Sequence, residues 1–142
     1  MNTDQSIAVE YRREGDDKHF LTMDSSALPD LEIDYTGIPD DQRSGTAARL
    51  LCASSLYCFA ATLGSALKSR GAKIKSLTGR AIAEKGRDFH ARTKITMITI
   101  QIKVEVEEKD QPILEKCRLL MQNGCLVTYS IDEGIHIEYE IQ

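Results

Sequence analysis

The amino-acid sequence lacks the features that mark an exported, membrane-spanning or zinc-binding protein. The first residues contain no apolar segment of the kind that a signal peptide requires, and the longest apolar stretch, Leu50 to Leu63, is too short to span a bilayer. None of the four cysteines belongs to a C-x-x-C pair or lies close to a histidine, which disfavours a zinc site. We therefore expect a cytoplasmic protein with reduced thiols, no metal and no other cofactor.

A basic stripe, internal repeats and low-complexity tracts are absent as well. The net charge of −4, from 18 basic and 22 acidic residues, disfavours nucleic acid or an anionic membrane as a partner. A chain of 142 residues fits one domain and can bury a sizeable core. We predict a single domain, residues 1–142, that binds neither nucleic acid nor membrane.

Hydrophobic periodicity separates strands from helices along the chain. Alternating residues predict half-buried strands, and a segment that is apolar on nearly every face predicts a helix covered on most sides. The pattern indicates an α+β fold with antiparallel sheets around one long buried central helix. The predicted elements are N-terminal strands over 6–36, the central helix over 46–70, a hairpin over 73–107, a second helix over 111–123 and a last strand over 134–141.

The four cysteines occupy different settings. Cys58 lies in the middle of the predicted central helix, where a thiol is either a small core hydrophobe or, with a cation beside it, a nucleophile. Cys52 lies about 120° away around that helix, and Cys117 falls on the apolar stripe of the second helix, so both are predicted to pack. Cys125 follows Gly124 on a turn, where a thiol can approach another element.

The run LLCASSLYCFAATLGSALKSRGAKI resembles the central helix of the OsmC/Ohr family, the osmotically inducible protein C and organic hydroperoxide resistance proteins. In that family a Leu- and Ala-rich helix carries a peroxidatic cysteine, typically followed by Phe, and ends at a glycine before a strand. Cys58, Phe59 and Gly71 match this pattern. The family's resolving cysteine comes some 65 residues later, and Cys125 lies 67 residues after Cys58. The order of the predicted elements is also the family's order.

The resemblance implies an OsmC-like intertwined homodimer that works as a thiol-dependent peroxidase on organic hydroperoxides, with a cellular dithiol as its reductant. A homodimer would also cover a central helix that one small domain barely covers. By resemblance, Cys58 attacks the peroxide as a thiolate and Cys125 closes a disulfide with it. Arg13 is the counterpart of the family's arginine, which lowers the pKa of the attacking thiol and stabilises the leaving alkoxide.

Two departures from the family pattern bear on activity. Family peroxidases have a glutamate that orients the arginine, and this chain has Ala48 at that position. No proline follows the second cysteine. Arg12, Arg43 and Arg49 are the alternatives to Arg13 as the cation beside Cys58. The alternative function is that of a non-catalytic OsmC-fold dimer, a binding or structural protein with inert thiols.

Overall fold

The chain folds into two compact units. A computed structural model describes residues 5–142; the N-terminal unit ends at Ser44, and the second unit runs from Gly45 to Gln142. The boundary lies in a loop whose glycines Gly37 and Gly45 have positive φ angles of 77° and 85°, a region that favours glycine. The architecture is α+β with antiparallel sheets, as predicted.

The N-terminal unit is a three-stranded antiparallel sheet with the order β1-β2-β3. Its strands are β1 (Glu10–Glu14), β2 (Lys18–Thr22) and β3 (Leu31–Asp34). All three lie within the range 6–36 in which the sequence predicts strands. A tight turn at Gly15 sets the register between β1 and β2. At the other end of β2 the Met23 N–H donates to Asp30 Oδ1 at 2.9 Å instead of continuing the ladder.

The second unit packs helices against a long hairpin. Its elements are α1 (Thr46–Ser69), β4 (Ile74–Arg87), β5 (Thr93–Val106), α2 (Gln111–Leu120) and α3 (Leu126–Glu133). Short 3₁₀ turns precede α1 and flank α2, at Asp40–Gln42, Glu108–Asp110 and Met121–Asn123. Helix α1 contacts both strands of the hairpin and both later helices, so it organises the unit.

The core lies where the second half of α1 meets the hairpin and α2. Its buried apolar residues are Leu63, Leu67, Ala72, Val106, Leu114, Cys117 and Met121. Helix and sheet also approach closely at Gly79 of β4, where an added Cβ would lie 3.2 Å from Leu56 Cδ1 and 2.7 Å from Ile102 Cδ1. A larger residue at Gly79 would therefore push the helix off the sheet.

The prediction that α1 is buried on most sides is wrong for the single chain. Only Ser55, Leu63 and Leu67 of this helix are buried, and Tyr57 is 76% exposed. The hairpin, α2 and α3 cover one side, and the described residues supply no cover for the other. The segment 40–69 is long and apolar enough to cross a membrane by length and composition, a test that core helices of soluble proteins also pass.

The predicted last strand over 134–141 is also wrong for the single chain. Helix α3 occupies Leu126–Glu133, and residues 134–142 form neither helix nor strand. A strand exists only through hydrogen bonds to a neighbouring strand, and neither sheet of the described chain takes this segment. Its His136 Nε2 and Glu138 Oε1 lie 3.3 Å apart, which is the same-side contact that an extended chain gives.

Candidate functional site

Cys58 and Cys125 meet between α1 and α3. Cys58 lies in the middle of α1, and Cys125 immediately precedes α3; both are free thiols. The two side chains interact, and each thiol shifts the pKa of the other. Cys58 is half-buried and Cys125 is 5% exposed. The structure thus brings together the two sulfurs that the resemblance paired.

A capping box fixes the position of Cys125. The Cys125 N–H donates to the Thr128 hydroxyl at 2.9 Å, and the Thr128 N–H donates to the Cys125 sulfur in return. Gly124 makes the turn with φ at 77°, and a Cβ there would lie only 2.8 Å from Thr128 Oγ1. Glycine is therefore needed both for the turn and for the space that the Thr128 hydroxyl occupies.

Hydrogen-bond donors surround the Cys125 sulfur. Burial alone raises the pKa of this thiol, but hydrogen bonds from the Cys58 thiol, the Thr128 hydroxyl and the N–H groups of Thr128 and Val127 outweigh it and hold the pKa below its ordinary value. The Thr128 Oγ1 lies 3.2 Å from the sulfur. The two N–H groups belong to the first turn of α3, where backbone donors have no partner within the helix.

Cys58 has the opposite environment. Burial raises the pKa of its thiol, and its role as donor to Cys125 raises it further, against smaller lowering contributions from Val127 and Thr62. The Thr62 hydroxyl donates its one proton to the Cys58 carbonyl oxygen at 2.8 Å, so it contributes little hydrogen bonding to the Cys58 sulfur.

A groove of about 910 Å³ lies beside this pair. Its apolar lining comes from α1, β5 and the segment around α3, and includes Leu51, Phe59, Ile98, Ile100, Met121 and Ile131. Gly124 and Thr128, which flank Cys125 in the chain, also line it. The groove is therefore large enough for an organic molecule and borders the element that positions Cys125.

The candidate arginines are already engaged. Arg13 Nε donates to the Gly15 carbonyl at 2.8 Å, within its own turn. Arg12 pairs with Glu14, and its guanidinium lies 4.3 Å from the centre of the Phe20 ring. These arginines belong to the N-terminal unit, and Cys58 belongs to the other.

Arg43 is held by the N-terminal unit, and Arg49 lies in the second unit. Arg43 donates to Asp17 Oδ1 at 2.9 Å and to the Tyr35 and Ile38 carbonyls at 3.1 and 2.7 Å. Arg49 lies in the first turn of α1, nine residues before the predicted nucleophile. A helix rises about 1.5 Å per residue, which places this position about 13 Å along the axis from Cys58.

The two other cysteines lie apart from the pair. Cys117 belongs to the buried core cluster, which confirms its predicted packing role. Cys52 is half-buried on α1. No group of three His, Cys, Asp or Glu side chains in residues 5–142 is placed to hold a metal ion.

Comparison with known proteins gives the family. The sequence model described as OsmC-like protein matches residues 39–140. The chain belongs to the OsmC-like family. No curated protein matches it.

Solved structures share the fold of this OsmC-like protein. One is an OsmC-like protein of unknown function from Vibrio cholerae O1 biovar eltor, with 14% sequence identity and a TM-score of 0.67 over 90% of this chain and 93% of that chain. Another, from Psychrobacter arcticus 273-4, is proposed to be an osmotic stress induced and detoxification response protein; it has 17% identity and a TM-score of 0.62 over 95% of this chain and 93% of that one. At these identities the likeness concerns the fold alone.

Two residues of the OsmC-like site were missed from the sequence. Thr128 and Val127 lie between the predicted second helix and the predicted last strand, where the sequence analysis predicts no element, yet they supply donors to the Cys125 sulfur. A signal was present: a hydroxyl residue three positions after Cys125 has the spacing of a capping box. Cysteine is not among the usual N-cap residues, which hid the pattern.

Proposed function

We propose that this OsmC-like protein is a thiol-dependent peroxidase that reduces organic hydroperoxides through Cys58 and Cys125. Its family membership supports a stress-response or peroxidase-like role. The observation that carries the finer proposal is the direct interaction of the two free thiols, which lie 67 positions apart in the chain. The groove beside them, lined by apolar residues such as Leu51, Phe59 and Ile98 and by polar residues, has room for an organic hydroperoxide.

The proposed cycle joins the two sulfurs in a disulfide. Oxidation of one thiol by the hydroperoxide gives a sulfenic acid and releases the alcohol, and the other thiol condenses with the sulfenic acid and releases water. A cellular dithiol then reduces the disulfide by thiol–disulfide exchange. The cycle belongs in the cytoplasm, where such dithiols keep thiols reduced.

A stoichiometric oxidation tests the proposal. The reduced protein is mixed with one equivalent of cumene hydroperoxide, and we expect about one hydroperoxide to be consumed per chain with the loss of about two thiols. Peptide mass mapping should find Cys58 linked to Cys125, with Cys52 and Cys117 unmodified. Undiminished hydroperoxide and four free thiols would instead support a non-catalytic OsmC-fold binding or structural protein, the function that Ala48 in place of the family's glutamate favours.

We also propose a homodimer in which a second copy covers the apolar surface that one chain leaves exposed. Apolar side chains remain exposed on α1 and in the C-terminal segment, including Tyr57, Ile137, Tyr139 and Ile141. Such exposed apolar surface is typical of an interface between chains. An intertwined dimer also provides a route by which an arginine of the N-terminal unit approaches the thiol pair.

Arg13 is proposed to stabilise the charge that develops on the leaving alkoxide. Removing one donor of this kind typically slows a reaction by about 10²- to 10³-fold, so Arg13→Ala should lower the rate of disulfide formation by about 10²-fold. Arg12→Ala is the matched control, since Arg12 is the neighbouring residue on the same strand. Stopped-flow thiol oxidation measures both, and equal rates in the two variants would contradict the assignment.

A further inference from the structure

The tip of the long hairpin is basic, although the chain as a whole has a net charge of −4. We define the hairpin tip as residues 85–94, the end of the hairpin beyond the register shift that follows Glu84. Its one carboxylate, Asp88, is accompanied by four exposed cations: Lys85, Arg87, Arg92 and Lys94. None of the four forms a salt bridge within residues 5–142. Net charge disfavours an anionic partner for the whole chain, but the charge is uneven, and cations outnumber carboxylates here even when Glu84 is counted.

Backbone hydrogen bonds hold the hairpin tip in a defined turn. Asp88 Oδ1 accepts from the N–H groups of His90 and Arg92 at 2.9 and 3.0 Å, and the Asp88 N–H donates to the Arg92 carbonyl at 3.0 Å. The Ala91 N–H donates to the Asp88 carbonyl at 3.0 Å, and the φ of Ala91 is 58°, in the left-handed region that favours glycine. The carboxylate of the tip therefore binds the turn's own N–H groups rather than the four cations.

Phe89 projects from this turn into solvent. Its side chain is fully exposed, whereas the two other phenylalanines, Phe20 and Phe59, are half-buried. Arg87 pairs with Thr93 in the β4–β5 register, so Arg87 and Lys94 lie on opposite faces of the hairpin. An apolar ring thus stands at the end of a hydrogen-bonded finger, with cations on both sides of it.

We propose that the hairpin tip docks on the surface of a bilayer that contains anionic lipids. Phe89 enters the headgroup region, where aromatic side chains are favoured, and the four cations of the tip contact lipid phosphates around it. A flat anionic surface fits this arrangement, because one projecting ring surrounded by cations needs no groove in its partner. Single-stranded nucleic acid fits it less well, because successive bases stack on several rings along a groove, and the tip offers one ring.

The docking surface lies next to the groove beside the thiol pair. Ile95, Thr96 and Met97 follow the hairpin tip directly on β5, and all three line that groove. Docking therefore brings this end of the groove toward the lipid surface. The proposal does not depend on the peroxidase cycle, since it concerns the reduced protein and a bilayer alone.

Cosedimentation with vesicles tests the docking. The reduced protein is mixed at low salt with vesicles of phosphatidylcholine that contain about one-third phosphatidylglycerol, and separately with vesicles of phosphatidylcholine alone. We expect the protein to pellet with the mixed vesicles and to stay in the supernatant with the neutral ones. NaCl at about 0.5 M should release it, because salt screens exposed charges. Equal binding to both kinds of vesicle, or binding to neither, would overturn the proposal.

A matched pair of double variants locates the cationic surface. Lys85→Ser with Lys94→Ser should weaken partition into the mixed vesicles by about 25-fold, since each cation near an anionic surface contributes about fivefold. Lys103→Ser with Lys116→Ser removes the same charge from β5 and α2 outside the tip and should leave partition within about threefold. Equal weakening in the two double variants would mean that the tip is not the docking surface.

The Phe89 ring distinguishes a bilayer from other polyanions. Phe89→Ser should weaken partition by about tenfold, because the ring no longer leaves water for the headgroup region. Leu119→Ser removes another exposed apolar side chain, on α2, and should leave partition unchanged. Weakening by the lysine variant of the tip but not by Phe89→Ser would show a general attraction to polyanions, such as a nucleic acid, and would overturn the assignment to a bilayer.

Discussion

Cys125→Ala is expected to lower the turnover of cumene hydroperoxide by about 10³-fold or more, because it removes one of the two sulfurs that the proposed cycle joins in a disulfide. Turnover is measured as hydroperoxide loss with excess dithiothreitol as the reductant. The effect should fall on the chemical step rather than on folding, since Cys125 lies at the end of a short helix and outside the main core cluster. The variant should therefore keep its wild-type melting temperature to within a few degrees.

The matched control for this variant is Cys117→Ala. Cys117 is also buried, at 0% exposure, and sits on the neighbouring helix α2, but it packs in the core and does not meet the pair. We expect it to retain turnover and to lose about 1 kcal/mol of stability from the small cavity. Equal turnover in the wild-type protein and Cys125→Ala would contradict a role for this sulfur in catalysis.

The sequence predicts most of this fold, because hydrophobic periodicity reports which faces are buried. The hairpin predicted over 73–107 appears as β4 and β5, since strict alternation admits one strand register. The second helix, predicted over 111–123, ends in a 3₁₀ turn at Met121–Asn123. Helix ends commonly tighten in this way. No composition shift in the sequence marks the boundary between the two units at Ser44.

The largest error lies at α3, and it concerns the site directly. Its sequence, LVTYSIDE, is rich in β-branched and aromatic residues, which favour strands. Tertiary context overrides that preference here, because a capping box at Cys125 starts a helix that packs against α1. The pairing of Cys58 with Cys125 came from the family pattern. The N–H groups that lower the pKa of Cys125 belong to this helix, which the sequence did not predict.

The α1 and C-terminal errors have a common cause. The sequence pattern predicts a helix α1 that is covered on all sides and a strand with one apolar face after Gly134, and the single chain shows neither. The homodimer that we propose accounts for both differences, because a second copy would bury apolar surface that one chain leaves exposed.

Disrupting the apolar face of the C-terminal segment is expected to weaken the proposed homodimer by at least about 100-fold. In an extended chain Ile137 and Tyr139 lie on one side and Glu138 and Glu140 on the other. Both apolar residues are well exposed in the single chain. Burying an apolar side chain of this size contributes about 1.5–3 kcal/mol, so replacing both residues by serine should cost about 3 kcal/mol or more of association free energy.

The alternation of the segment supplies a control of equal size. Glu138→Ser with Glu140→Ser changes the same number of residues to the same side chain on the opposite face and should leave the dissociation constant within about threefold. Sedimentation velocity across protein concentration measures both. A single-chain mass for the wild-type protein at all concentrations, or equal weakening in the two double variants, would contradict the dimer or the side on which it is formed. Cys58 on α1 and Cys125 before α3 belong to the same chain, so the apolar double variant should still form the Cys58–Cys125 disulfide with one equivalent of hydroperoxide. Disulfide formation should be slower in this variant if the arginine comes from the partner.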